Sequence, residues 1–216
     1  MPIDFTAVRE RLYVAVISDI LDELGLTNQV MDRGIRPIPQ ERVLFGRART
    51  MLSVPVDSPM EKPFDVQIDA VDSLKPEEVV VVNTSSVDTC AFWGELFSTV
   101  AYSRKAAGAV IDGFVRDVRK IRDLGLPVYA RGMNVRNSKN RQTVLQYDQP
   151  ITCGGVTVKN GDYIFGETDG CLVIPAKEAE EVLNRALDIA DKEDAMRSAI
   201  LRGSTLREAY DRYQVI

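Results

Sequence analysis

The stretch that most constrains the fold runs from Glu78 to Ala130, where short unbroken apolar runs alternate with amphipathic ones. Val79-Val80-Val81-Val82 predicts a strand buried on both faces and ending at Asn83. Trp93 to Ala107 predicts a helix, Ala109-Val110-Ile111 a strand, Asp117 to Leu124 a helix, and Val128-Tyr129 a further strand. Such strands, separated by helices, build parallel βαβ units covered on both faces. The flanks differ in character. The first 25 residues predict one helix, with Val8, Leu12, Val16, Ile20 and Leu24 at four-residue spacing and Gly25 as its stop. Met31 to Pro55 reads as short β runs broken at Gly34, Pro37, Pro39 and Gly46, the clearest being Ala48 to Val54. After Gln142 come β segments at Thr143 to Tyr147, Ile151 to Val158 and Cys171 to Ile174, with turns at Gly154-Gly155 and Asn160-Gly161. Two helices close the chain, from Pro175-Ala176 to about Leu201 and from Thr205 to Tyr213, with a stop at Gly203. With no repeat or linker, residues 1–216 read as a single α/β domain with helical ends.

A chain of 216 residues, 45% apolar and 27% charged, can bury one core without disulfides or a structural metal. Its three cysteines, Cys90, Cys153 and Cys171, stand far apart, which suits a reducing compartment, and Cys153 and Cys171 in apolar strands read as buried small hydrophobes. A net charge of −5 with no basic block argues against nucleic-acid binding. No apolar stretch is long enough for a membrane span and Met1-Pro2-Ile3-Asp4 does not begin a signal peptide, so the expected location is the cytoplasm. The histidine count of zero removes Ser-His-Asp and Cys-His mechanisms, and leaves any metal to oxygen ligands, hence Mg²⁺, Mn²⁺ or Ca²⁺. With no G-x-G-x-x-G or P-loop, a dinucleotide enzyme has no support.

In open parallel sheets ligands collect where strands end and helices begin. Two such places can be read here: Trp93-Gly94-Glu95-Leu96, and Asp112-Gly113-Phe114-Val115-Arg116-Asp117. Gly94 permits close backbone approach, and the amides of Gly94, Glu95 and Leu96 suit a carboxylate. Arg116 can fork onto a carboxylate while Asp117 holds a hydrated divalent ion. Taken alone, Arg-Asp at a loop-helix junction is more often an N-cap beside a solvated arginine.

These segments, together with Val16 to Asp22, Gly108 to Asp117, Leu126 to Gly132 and Val158 to Pro175, resemble a known family over most of the chain. It joins the regulator of ribonuclease activity A to the class II 4-hydroxy-4-methyl-2-oxoglutarate/4-carboxy-4-hydroxy-2-oxoadipate aldolases. The family signature is an acidic residue, twenty intervening positions and Arg-Asp, matched by Glu95 and Arg116-Asp117, with Glu where aldolases often carry Asp. The resemblance implies an αββα-type sandwich with a swivelling, phosphohistidine-domain-like β/β/α core, assembled as a homotrimer or hexamer. It further implies that Asp117 binds Mg²⁺ directly, that Glu95 meets the ion through water, and that Arg116 takes the keto-acid end with help from the amides of Gly94 to Leu96. The implied activity is metal-dependent cleavage of a 4-hydroxy-2-oxo dicarboxylic acid to pyruvate through a stabilised enolate, with oxaloacetate decarboxylation as a second reaction. Lys139 and Arg141 would face a second substrate carboxylate, or belong to a solvated loop. Glu193 would reach a neighbouring subunit's metal, or lie on a solvated helix face. Trp93 reads as core packing before ligand stacking. The alternatives are a lyase of another small oxo-acid or sugar acid, and a non-catalytic regulator binding a ribonuclease. Regulators of this family tend to be shorter, so the helices after Ala176 favour the enzyme.

Overall fold

The computed structural model describes residues 3–38 and 42–215, so Met1, Pro2 and the expected break at Pro39 lie outside the described residues. Two helices, α1 (Phe5–Arg11) and α2 (Val14–Glu23), replace the single one expected over the first 25 residues. Leu12 and Tyr13 between them are extended, with ψ of 156° and 158°. The Val14 amide starts α2 on the carboxylate of Glu167, at 2.7 Å. The four-residue spacing survives the break because Val8, Leu12, Val16, Ile20 and Leu24 all pack into one core.

Next come β1 (Arg36–Pro37), β2 (Leu44–Pro55), α3 (Asp65–Asp72), β3 (Glu78–Asn83), β4 (Ala91–Trp93), α4 (Glu95–Ser103), β5 (Gly108–Val115), α5 (Val118–Leu124) and β6 (Val128–Met133). β2, β3, β5 and β6 are parallel neighbours in that order, with helices between β3 and β5 and between β5 and β6 as expected. The valine run shows why both faces had to be apolar. Val80 and Val82 pack with Ile121 of α5 and Ala101 of α4, whereas Val79 and Val81 point into a different core with Leu44 and Tyr129. β7 (Gln142–Tyr147) pairs antiparallel with the far end of β2, and β8 (Ile151–Cys153) and β9 (Val156–Val158) form a hairpin whose apolar residues fill that second core. β10 (Tyr163–Glu167) and β11 (Gly170–Ile174) add antiparallel beyond β2, giving the order β1-β6-β5-β3-β2-β10-β11. The two ends approach: Arg36 of β1 donates to the carbonyls of Thr168 and Asp169 in the β10–β11 turn, at 3.2 and 2.6 Å. The sheet is therefore a nearly closed barrel. α6 (Ala179–Leu201) and α7 (Leu206–Tyr213) complete the mixed α/β fold with its helical ends.

Further boundaries and elements depart from the sequence reading. The helix expected from Trp93 begins at Glu95, because Ala91 and Trp93 pair with Phe114 and Val115 of β5 as a strand. β5 itself runs on to Val115, making Asp112 to Val115 strand instead of loop. β10 and the short helix α3 lie in segments where no element was expected. Cys90, Cys153 and Cys171 are all free and buried, and burial pushes the thiols of Cys153 and Cys171 well up. Among the described residues no helix is long and apolar enough to cross a membrane.

Candidate active site at the ends of β4 and β5

The site arises because β5 outlasts β3. β3 pairs with β5 as far as Asp112; beyond it, Thr84 donates to the Asp112 carbonyl at 2.6 Å and crowds Gly113, where an added Cβ would stand 2.5 Å from the Thr84 hydroxyl oxygen. β4 then takes over as the neighbour of Phe114 and Val115. The Arg116 amide donates to the Trp93 carbonyl at 2.9 Å, fastening the end of β4 to the end of β5. Both strands turn into helices at this point, α4 after Gly94 and α5 after Asp117.

Gly94 has ordinary extended backbone angles, so its requirement is contact and not conformation. A Cβ there would meet Asp117 Oδ2 at 2.9 Å and Arg116 Cγ at 3.2 Å. Asp117 occupies the N-cap position of α5, yet it lies in the left-handed region (φ 58°, ψ 31°) and its side chain makes no cap bond. That conformation costs a non-glycine residue of order 1 kcal/mol, although Asp tolerates it better than most. The plain N-cap reading of Arg116-Asp117 therefore fails. The carboxylate turns to the neighbouring strand instead: Oδ2 accepts from the Glu95 amide at 3.3 Å and lies 3.5 Å from Arg116 Nε. Glu95 in turn sits 3.6 Å from Lys120 Nζ, one turn into α5. Gly94, Glu95, Leu96, Arg116 and Asp117 thus come together at one cleft of about 520 Å³. Arg116 and Asp117 also line an adjoining hollow of about 320 Å³ with Met133 and Val135, so the pair forms the ridge between two depressions.

Sequence reasoning missed Lys120, although its position three residues after Asp117 puts it on the same helical face. It also missed Phe64 and Ile68, which reach the cleft from around α3, and Asn137 and Ser138, which come from the basic loop. Lys139 and Arg141 in that loop do not line the cleft. Arg141 donates to the carbonyls of Asn137 and Lys139, at 3.1 and 3.3 Å, and so shapes the loop. Trp93 is core as expected, donating through Nε1 to Ser98 Oγ at 2.8 Å, and its ring packs 5.6 Å from that of Phe97 beside the cleft. Glu193 is not brought to Asp117 within one chain. It accepts from the Tyr13 hydroxyl and borders a different hollow with Met196 and Arg197.

Among the described residues no group of three or more His, Cys, Asp or Glu side chains stands close enough together to hold a metal ion. What the cleft offers is the half-exposed Asp117 carboxylate, which makes no cap bond to its own helix, with Glu95 beside it. One or two carboxylate oxygens with the remaining positions left to water and substrate suit Mg²⁺ or Mn²⁺, and not zinc or iron.

Comparison with known proteins bears on the family and the fold. A family model described as RraA-like, Aldolase/RraA, matches residues 14–173. Over 92% of its length the chain is 32% identical to Protein DlpA of Legionella pneumophila, of which it spans only 32%. It is also 32% identical to a Halalkalibacterium halodurans protein named "Putative 4-hydroxy-4-methyl-2-oxoglutarate aldolase", across 92% of this chain and 89% of that one. Among solved structures, an uncharacterized protein from Pseudomonas syringae pv. tomato superposes with a TM-score of 0.82 at 29% identity, covering 97% of this chain and 98% of that one. Streptomyces coelicolor RraAS2, described as an unusual member of the RNase ES inhibitor RraA protein family, gives 0.77 at 26% identity, covering 91% and 98%. Since a relative so described matches nearly end to end, chain length does not separate enzyme from regulator here. Matched across residues 14–173 and similar to such relatives in sequence and fold, the chain belongs to the RraA-like, Aldolase/RraA family.

Proposed function

We propose that the protein is a divalent-cation-dependent lyase of the class II aldolase type, releasing pyruvate from a 4-hydroxy-2-oxo acid of the 4-hydroxy-4-methyl-2-oxoglutarate kind and decarboxylating oxaloacetate at the same site. The observation that carries this reading is the left-handed Asp117, whose carboxylate does not cap its own helix α5 and is held at the cleft beside Arg116 and the Glu95 amide. In retro-aldol cleavage the C4 hydroxyl loses its proton, the C3–C4 bond breaks, and its electron pair passes to the C2 carbonyl oxygen. Arg116 grips the C1 carboxylate through its two-donor fork and sets the direction of the scissile bond. Glu95 positions a water to take the hydroxyl proton, since no histidine exists to do so. A Mg²⁺ or Mn²⁺ ion held by Asp117 would supply the positive charge that stabilises oxygen as it becomes negative. Large apolar side chains left exposed around the ridge, Leu96, Met133 and Val135, support a homotrimer or hexamer, the only setting in which Glu193 would meet a neighbour's Asp117. The buried, unpaired cysteines support a cytoplasmic location.

The test is a coupled pyruvate-release assay over a panel of 4-hydroxy-2-oxo acids and oxaloacetate, with Mg²⁺ and with chelator. Activity should require the cation, vanish in Asp117→Ala, and be inhibited competitively by oxalate, which mimics the planar pyruvate enolate. Full activity in excess chelator or in the variant would sink the proposal. The likeness to the RNase ES inhibitor family favours one second reading, a non-catalytic ribonuclease regulator. A folded, cation-loaded protein inert toward every oxo-acid yet binding a ribonuclease tightly would establish it.

A further inference from the structure

Beside its apolar wall of Phe64 and Ile68, the lining of the cleft carries four charged side chains among the described residues, Glu95, Arg116, Asp117 and Lys120. The proposed reaction uses Glu95, Arg116 and Asp117 and leaves Lys120 without a part. Lys120 is nevertheless fixed into the same corner by both its backbone and its side chain. Its amide donates to the Asp117 carbonyl at 2.9 Å, and its Nζ lies 3.6 Å from Glu95 Oε2. The Glu95 amide in turn donates to Asp117 Oδ2 at 3.3 Å. Asp117, Lys120 and Glu95 thus close a ring of contacts that joins the first turns of α4 and α5, with the Lys120 ammonium as its link to the Glu95 carboxylate.

A glutamate side chain turns about several bonds, and one left free spreads its carboxylate over many staggered positions. Among the described residues the other neighbour of this carboxylate is the Thr99 hydroxyl, 3.5 Å from Oε1, but its single proton has a shorter bond to the Glu95 carbonyl, at 3.0 Å. Lys120 is therefore the group that ties the carboxylate across to α5. The pair adds little to stability, since the Lys120 side chain is 63% exposed and that of Glu95 27%. What such a pair can still do is select one rotamer. We infer that Lys120 is the positioning residue for Glu95, holding its carboxylate beside Asp117 so that it orients the water that takes the C4 hydroxyl proton. The inference rests on the lyase reading. It requires no contact between Lys120 and the substrate, and both partners of the pair belong to one chain.

The test is Lys120→Met, which keeps the stem and drops the ammonium, beside Lys120→Arg, which keeps the charge and the reach. Each is compared with the intact wild-type protein by kcat and KM for pyruvate release, by Mn²⁺ calorimetry and by a thermal melt. A positioned acid–base group contributes roughly 10²- to 10⁴-fold to a rate, so freeing the carboxylate from its tie should lower kcat by about tenfold or more. KM and the melting temperature should stay close to wild type. Mn²⁺ should bind as tightly or more tightly, because the variant removes a positive charge from the cleft. Lys120→Arg should restore most of kcat. The side chain of Glu95→Asp is one methylene too short to reach Lys120, so adding Lys120→Met to it should lower kcat almost no further, the mark of residues that act as a unit. An unchanged kcat in Lys120→Met, losses that multiply in the double variant, no recovery with arginine, or Mn²⁺ affinity and melting temperature that fall along with kcat would each overturn the inference and leave the lyase reading standing. A wild-type protein that releases no pyruvate would remove the lyase reading, and the inference with it.

Discussion

Gly94→Ala is the sharpest perturbation of the proposed site, because it adds one carbon and changes no charge. The new Cβ would stand 2.9 Å from Asp117 Oδ2, 3.2 Å from Arg116 Cγ and 3.4 Å from Arg116 Nε. Carbon–oxygen contacts settle near 3.5 Å, so the carboxylate must retreat by about 0.6 Å or swing to another rotamer. Either movement also breaks the 3.3 Å bond from the Glu95 amide. The backbone at residue 94 is extended, φ −158° and ψ −168°, and accepts alanine without strain. Asp117 and Arg116 are half-exposed and free to yield, so stability should fall by under about 1 kcal/mol. Displacement of a reacting group by about 1 Å costs on the order of 10²-fold, or roughly 2.7 kcal/mol in ΔΔG‡. The assay is kcat/KM for pyruvate release beside a thermal melt on the same samples. A wild-type kcat/KM in the folded variant would show that the Gly94–Asp117 contact has no part in the chemistry, and a melt shifted far down would show that Gly94 serves the fold instead.

Arg116→Lys keeps the charge but not the planar fork, and should lose about 2–3 kcal/mol of transition-state stabilisation; unchanged kinetic constants would place Arg116 outside the site. Burial raises the Glu167 carboxyl above its usual value, with Asp169 adding to the rise against the lowering bond from the Val14 amide. The folded state then binds more protons than the unfolded one, so this group's contribution is largest below the ordinary glutamate range and declines as pH rises through the folded value. Glu167→Gln should flatten that decline, and urea midpoints at pH 4 and pH 7 that change equally in both proteins would refute it. Ile111→Ala, at the fully buried centre of β5, should cost about 2–5 kcal/mol in urea unfolding; a loss under 1 kcal/mol would mean that the core around it collapses to fill the gap.

The parallel centre was legible because its residues satisfy two cores at once: Val79 to Val82 could be nothing but a doubly covered strand. The break at Leu12-Tyr13 was not, since the helices on either side keep the same apolar stripe and the partner that ends the pattern, Glu167, lies some 150 positions away. β4 was hidden for a related reason. Ala91-Phe92-Trp93 is too short to show a period, and becomes a strand only because β5 outruns β3 and offers an open edge. At the site, Gly94, Glu95, Arg116 and Asp117 were readable as strand-end residues, and the structure gathers them at one cleft. The apolar wall was not readable. Phe64 and Ile68 come from a segment with no motif, and Lys139 and Arg141 carried the conspicuous charge while their neighbours Asn137 and Ser138 face the cleft.

The near-closure of the barrel has a consequence for how the molecule comes apart. Met31 donates to the Cys171 carbonyl and Val173 to that of Gln29, each at 2.9 Å, so residues 29–31 lie along β11, while Arg36 and Pro37 a few positions later pair with β6. The gap between the first and last strands is thus bridged by covalent chain, with the Arg36 guanidinium as its rivet, and not by a ladder of peptide bonds sharing protons. A single protease cut between Met31 and Arg36 would remove the covalent bridge and leave the Arg36 contacts with Thr168 and Asp169 to hold the seam. The ladders among β3, β4, β5 and β6, which carry Gly94, Arg116 and Asp117, involve none of the severed residues and would remain paired.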